Sequence, residues 1–161
     1  MKKMILSVIA HNNLGVIARV SGLFTRRGFS LTSLAGEDTH EPTISRLTLS
    51  VEEDEKSLLQ IQRQLEKLVD IKEVQILEPD VDVARDLALI KVKLSKEFNK
   101  IIKNLTHSYN NVSVVDVNCE SIMFQVCSTK EVIDDFIETV RPYGILESAR
   151  TGVIALASVN R

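Results

Sequence analysis

The chain predicts an α+β fold in which one β-α-β-β-α-β pattern is written twice along 161 residues. Three observations point to it. Short apolar runs of strand length alternate with longer stripes at helical spacing. A polar break over residues 79–86, holding Pro79 and several acids, separates two halves of similar length. The order of elements is the same on either side of that break.

The first half opens with the continuous apolar run Met4–Ala10, which reads as a buried strand. Val16, Ile17, Val20, Leu23 and Phe24 then form one stripe of a helix. Arg26 and Arg27 suit its C-terminal dipole, and Gly28 is a natural left-handed stop. Phe29–Glu37 reads as a strand and Thr39–Thr43, with Pro42, as a turn. Leu47, Leu49 and Val51 alternate with polar residues, the pattern of a half-buried strand. The acidic run Glu52–Glu55 suits a solvated helix start, and Leu58, Ile61, Leu65 and Leu68 continue at helical spacing. Val74 and Ile76 mark a fourth strand.

The second half repeats the order. Ala88, Ile90, Val92 and Leu94 alternate with Lys91 and Lys93, and Phe98, Ile101, Ile102 and Leu105 form a helical stripe. Val112–Val117 and Ile122–Cys127 are strands around a short Asn118–Ser121 turn. Ser128 and Glu131 have capping-box spacing ahead of Val132, Ile133, Phe136, Ile137 and Val140. Pro142-Tyr143-Gly144 ends that helix, and Ile145–Leu156 supplies a last strand, broken near Gly152. Two ferredoxin-like βαββαβ domains follow, over residues 1–78 and 87–161, with 79–86 as linker. Helices cover one face of each sheet, so an open face or edge strand predicts self-association.

Composition excludes several function classes. A net charge of −2 and 4% aromatic residues with no tryptophan give no electrostatic or stacking platform for nucleic acid. No apolar stretch is long enough to span a membrane as a helix, and Met4–Ala10 lacks the cleavage pattern of a signal peptide. Cys119 and Cys127 have no CxxC spacing; they read as two small buried hydrophobes in a reducing, cytosolic protein. His11, His40 and His107 have no metal-ligand spacing, and no metal ligands are assigned. There is no P-loop, GxGxxG, GxSxG or HExxH, and no nucleophile, base and orienting group assemble, so no catalytic residue is assigned. Arg19 and Arg26 share one side of the first helix and are candidate docking residues; Lys91 and Arg150 read equally as docking residues or as solvated ends of strands, and Asp134 and Asp135 as solvated helix surface.

Asn12-Asn13-Leu14-Gly15-Val16 carries the most chemistry. A glycine at a strand-to-helix junction leaves the first helical amides free, and those amides attract a small carboxylate. The asparagine amides can serve the rest of an amino-acid-sized ligand. The bland alternative is that Gly15 permits a tight turn and nothing more.

The stretch from Asn12 to Phe29 resembles the opening of the small, regulatory subunit of acetolactate synthase (acetohydroxyacid synthase). The resemblance continues through Pro42-Thr43-Ile44-Ser45-Arg46-Leu47-Thr48 and Gln64-Leu65-Glu66-Lys67-Leu68-Val69, then Leu89-Ile90-Lys91-Val92 and Ala149-Arg150-Thr151-Gly152. It implies an N-terminal ACT domain, an amino-acid-sensing variant of the ferredoxin-like fold, and a second domain of similar topology. It also implies a homodimer of paired ACT domains with the effector at their interface. One subunit contributes Asn12, Leu14, Gly15, Val16 and Ile17; the other contributes Ser30 and Leu31. The implied effector is valine, in some members leucine or isoleucine. The implied partner is the large catalytic subunit, which holds thiamine diphosphate, magnesium and FAD; the small subunit binds none of them and is not itself an enzyme. That holoenzyme condenses two pyruvates, or pyruvate and 2-oxobutyrate, in branched-chain amino acid biosynthesis.

Three positions depart from the family pattern. Leu14 stands where proline or serine is commoner, His11 where an acid is common, and Ser30 where asparagine is usual. Serine offers one hydroxyl in place of an amide, so the sequence predicts activation of a large subunit with weakened or altered valine sensitivity. Two rival readings are a free-standing amino-acid-binding module that regulates another protein, and a small-molecule enzyme on the same scaffold. The absence of a helix-turn-helix and the resemblance in the second half count against the first rival.

Overall fold

A computed structural model describes residues 2–78 and 81–160. The chain divides into two compact units, Met1–Ala84 with Val153–Arg161, and Arg85–Gly152. In the first unit the order is β1 (Lys2–His11), α1 (Val16–Arg27), β2 (Leu31–Asp38), β3 (Ile44–Glu53), α2 (Glu55–Leu65) and β4 (Ile71–Leu77). The strands form an antiparallel sheet in the order β2-β3-β1-β4. This is the predicted ferredoxin-like arrangement, with β2 and β4 as edges.

Strand alternation builds the core. Met4, Leu6, Val8 and Ala10 of β1 lie opposite Val51, Leu49, Leu47 and Ser45 of β3, and the apolar ones face the helices. Val16, Val20, Leu23 and Phe24 of α1, with Leu58, Ile61 and Leu65 of α2, close that layer. Gly28 ends α1 at φ 70°, and the Phe29 amide donates to the Phe24 carbonyl at 3.1 Å. That left-handed stop is the one expected from the sequence. The acidic run splits: β3 extends to Glu53, and Asp54 caps α2 by accepting the Ser57 amide at 2.7 Å. That amide holds the Asp54 carboxyl below the usual carboxylate range.

The second unit repeats the topology with β5 (Val83–Lys93), α3 (Lys96–Ser108), β6 (Val112–Val117), β7 (Ser121–Ser128), α4 (Lys130–Val140) and β8 (Ile145–Arg150). Its path β6-β7-β5-β8 is the order of the first sheet shifted by four strands. Phe98, Phe124 and Phe136 are fully buried, and their rings meet edge to face at 6.0 Å and 5.5 Å. Ser95 caps α3 by accepting the Phe98 amide at 3.1 Å. Ser95→Ala should lower the stability of this unit by about 1 kcal/mol with the fold retained, measurable by chemical denaturation.

Several details differ from the sequence reading. Helix α4 is capped at Thr129, without a side-chain bond; Ser128 instead accepts from the Asn111 side-chain amide at 3.2 Å, so the capping box does not form. Cys119 and Cys127 are both exposed rather than buried. Cys127 falls on the face of β7 opposite Val126 and Phe124, where alternation turns it outward. Part of the 79–86 segment is built into the fold. β5 already begins at Val83, and Asp82 is buried, accepting the amides of Glu78 and Ser158 at 2.9 Å and 3.0 Å. Pro79 lies outside the described residues.

The last strand breaks at Gly152, φ 80°, as the sequence suggests. Beyond it, β9 (Ile154–Leu156) pairs with β5, and Ala155 is buried beside Ile5 and Leu77 of the first unit, with Ala84 against them. Grouping residues 153–161 with the second half by sequence order therefore misses where this segment packs. Short apolar residues such as Ala155 and Ala157 carry no periodic signal that would name their partner.

Candidate effector-binding loop

The loop from β1 to α1 is shaped by Gly15, which sits at φ 81°, ψ 8° ahead of the first helical residue. A side chain there would be strained whatever the space, so glycine is what lets the strand turn directly into the helix. Among the described residues, no hydrogen bond closes on the backbone amides of Leu14, Gly15, Ile17 or Ala18. They form a row of free donors at the positive end of α1.

Everything around that row is tied down. The Asn12 amide donates to Thr43 O at 2.8 Å, and its side-chain Nδ2 donates to Pro42 O at 3.2 Å. This leaves Asn12 Oδ1 as an acceptor suited to an ammonium group. Asn13 Nδ2 donates to Asp70 Oδ1 at 2.8 Å, and Arg19 meets Asp70 Oδ2 at 2.6 Å while donating to Leu14 O at 3.2 Å. The Asn13 amide, helped by the Arg19 guanidinium, holds the Asp70 carboxyl below its usual range against the opposing effect of desolvation.

The apolar candidates divide. Ile17 is 50% exposed and Leu14 98% exposed, both available to a ligand or partner. Val16 is 7% exposed and packs into the core with Val20, so only its backbone faces the loop. Of the residues the resemblance assigns to the effector, Val16 thus offers its backbone rather than its side chain. Arg19, a candidate docking residue, is committed within the loop instead.

Ser30 and Leu31 are elsewhere. Leu31 is level with Val51 and hence with Met4, whereas the loop leaves β1 at His11, level with Ile44. Seven strand positions separate Met4 from His11, roughly 23 Å at about 3.3 Å per residue. One copy of the chain therefore brings Asn12, Leu14, Gly15 and Ile17 together but not with Ser30 and Leu31. Ser30 is exposed; its amide donates to Glu53 Oε1 at 3.0 Å, and its hydroxyl makes no hydrogen bond among the described residues.

In the second unit Arg150 also fails to behave as a free docking residue. It bridges Asp86 of β5 and Asp134 of α4, with Nε to Asp86 Oδ2 at 2.9 Å, Nη2 closer still to the same oxygen, and Nη1 to Asp134 Oδ1 at 2.5 Å. Burial opposes its charge, but the hydrogen bonds it donates to Asp134 and Asp86 and their negative charges outweigh that and raise its pKa. Asp135 accepts the Tyr109 hydroxyl at 2.5 Å, so neither acid of this pair is mere solvated surface. Among the described residues no cluster of three His, Cys, Asp or Glu is arranged to hold a metal ion, and no helix is long and apolar enough to cross a membrane.

Comparison with known proteins accords with this geometry. Residues 6–73 match the AHAS small subunit-like ACT domain family, and residues 85–159 match the family of the small subunit of acetolactate synthase. A probable acetolactate synthase small subunit of Archaeoglobus fulgidus is 39% identical, with 97% of each chain covered. That of Methanothermobacter thermautotrophicus is 37% identical over 98% of this chain and 94% of the relative. The chain belongs to the acetolactate synthase small subunit family. The acetolactate synthase small subunit of Thermotoga maritima, known from its crystal structure, shares the fold over the full length of both chains, with TM-score 0.92 and 30% identity. In this family setting the first unit is an ACT domain, and its β1–α1 loop is the site for which the sequence gives the most chemical reason.

Proposed function

We propose that this chain is the regulatory subunit of an acetolactate synthase, activating a large catalytic subunit and relaying feedback inhibition by valine in branched-chain amino acid biosynthesis. Two copies pair through their ACT domains. The cofactors of the reaction, thiamine diphosphate, magnesium and FAD, belong to the catalytic partner. One observation carries this reading: the free amides at Leu14, Gly15, Ile17 and Ala18 lie at the opposite end of the sheet from Ser30 and Leu31. A site using both groups needs a second copy, and β2 is the open edge that such a copy can meet.

In the proposed complex the valine carboxylate takes the free amides and the ammonium takes Asn12 Oδ1. Ile17, with Leu31 of the other copy, flanks the isopropyl group. Burying that group contributes only about 1.5–3 kcal/mol, so charge-assisted hydrogen bonds must supply much of the affinity. Because the ligand bridges two copies, it favours one dimer arrangement over another and so reaches a distant active site.

The test mixes this chain with its catalytic subunit and follows acetolactate formation with and without valine, alongside calorimetric titration of valine into the chain alone. Activation and weak, saturable inhibition are expected. Ser30→Asn, which restores an amide, should tighten valine binding. Tight binding by the unaltered chain would remove the idea of a weakened site, and absence of activation would favour a free-standing module.

A further inference from the structure

Asp70 lies in the turn between α2 and β4, outside every residue so far assigned to the effector, yet it holds the loop at three points. Its backbone carbonyl accepts the His11 amide at 2.8 Å. Its Oδ1 accepts from Asn13 at 2.8 Å and its Oδ2 faces Arg19 at 2.6 Å. Residues 11, 13 and 19 bracket the whole row of free amides. We propose that Asp70 is the positioning residue of the effector loop, fixing the spacing of its donors before any ligand arrives; this rests on the effector reading above.

The electrostatics explain why a carboxylate is needed at this place. Arg19 folds back over the first turn of its own helix, with Nη2 on the Leu14 carbonyl. A cation at a helix N-terminus is disfavoured by the macrodipole. Asp70 offsets that disfavour and thereby keeps the guanidinium, and the Leu14 carbonyl it holds, in place. Its other oxygen orients the Asn13 side chain, whose backbone carbonyl accepts the Val16 amide at 3.4 Å. Preorganised donors bind an anion without first having to be ordered.

The experiment uses the full chain with L-valine as probe. Asp70→Asn keeps the size and one acceptor but removes the charge. It should weaken valine binding at least about tenfold, the loss common when a supporting hydrogen-bond partner is removed. Its Tm should stay within about 3 °C of the unaltered chain. Amide hydrogen exchange over residues 12–19 should quicken at the same time. Arg19→Met, which leaves the Asn13 contact, should give a smaller loss. The double variant should be no worse than Asp70→Asn alone, since both act through one network. Unaltered exchange and unaltered affinity in Asp70→Asn overturn the inference. Failure of the parent chain to bind valine overturns the effector reading itself, and with it the effector role of Asp70. A fall in affinity matched by a large fall in Tm assigns Asp70 to stability alone and overturns the inference as well.

Discussion

Arg150→Ala should destabilise the second unit by roughly 3 kcal/mol, because it leaves a charged carboxylate buried without its cation. Asp86 is 3% exposed, and in the intact chain two nitrogens of Arg150 converge on its Oδ2. The figure is taken at the low end of the usual range for two reasons. The Arg150 side chain is itself 28% exposed, and the Thr151 hydroxyl, 3.2 Å from Asp86 Oδ1, remains after the substitution. Chemical denaturation of the full chain measures the effect. A double variant with Asp86→Ala removes the stranded charge and should recover part of the loss, the signature of a coupled pair. A stability within about 0.5 kcal/mol of the parent in Arg150→Ala would show that the network contributes no more than ordinary surface.

Gly15→Val should abolish measurable valine binding while the chain still folds. At φ 81° a β-branched residue is an outlier, costing about 1–3 kcal/mol, and the loop relieves that strain by moving. The added Cβ itself would meet only Arg19 Nη1, at an ordinary contact distance of 3.5 Å, so the backbone strain is the disruptive effect. That movement disperses the row of donors. The loop is exposed and the core beneath rests on Val16, Val20 and Phe24, so the fold survives. Calorimetric titration with valine, paired with a thermal melt, separates the two consequences. Binding within about threefold of the parent would mean that the left-handed turn is dispensable to the site.

The parts of this molecule that were legible in its sequence are those governed by local rules. The α1 stripe, its Gly28 stop and the alternation along β1 and β3 each depend on neighbours within a turn or two, and they appear where expected. What escaped the sequence depends on contacts between distant positions. Asp70 stands 57 residues from Asn13, and nothing in a lone acid within a turn announces a partner that remote. Arg150 looked like a strand-end cation because Asp86, 64 residues away, gives no periodic sign of facing it. Val16 belongs to the motif that defines the loop, yet its place in the helical stripe turns its side chain to the core. Periodicity contained that information; a motif read residue by residue did not.

The return of residues 153–161 to the first unit has a consequence for how the protein is born. During synthesis the first 84 residues leave the ribosome well before the strand that covers Ile5 and Leu77 exists. At about 5–20 residues per second the nascent ACT domain waits several seconds, through the making of the entire second unit, with that apolar patch bare. The ACT domain is thus the first part of the chain to begin folding and the last to be finished.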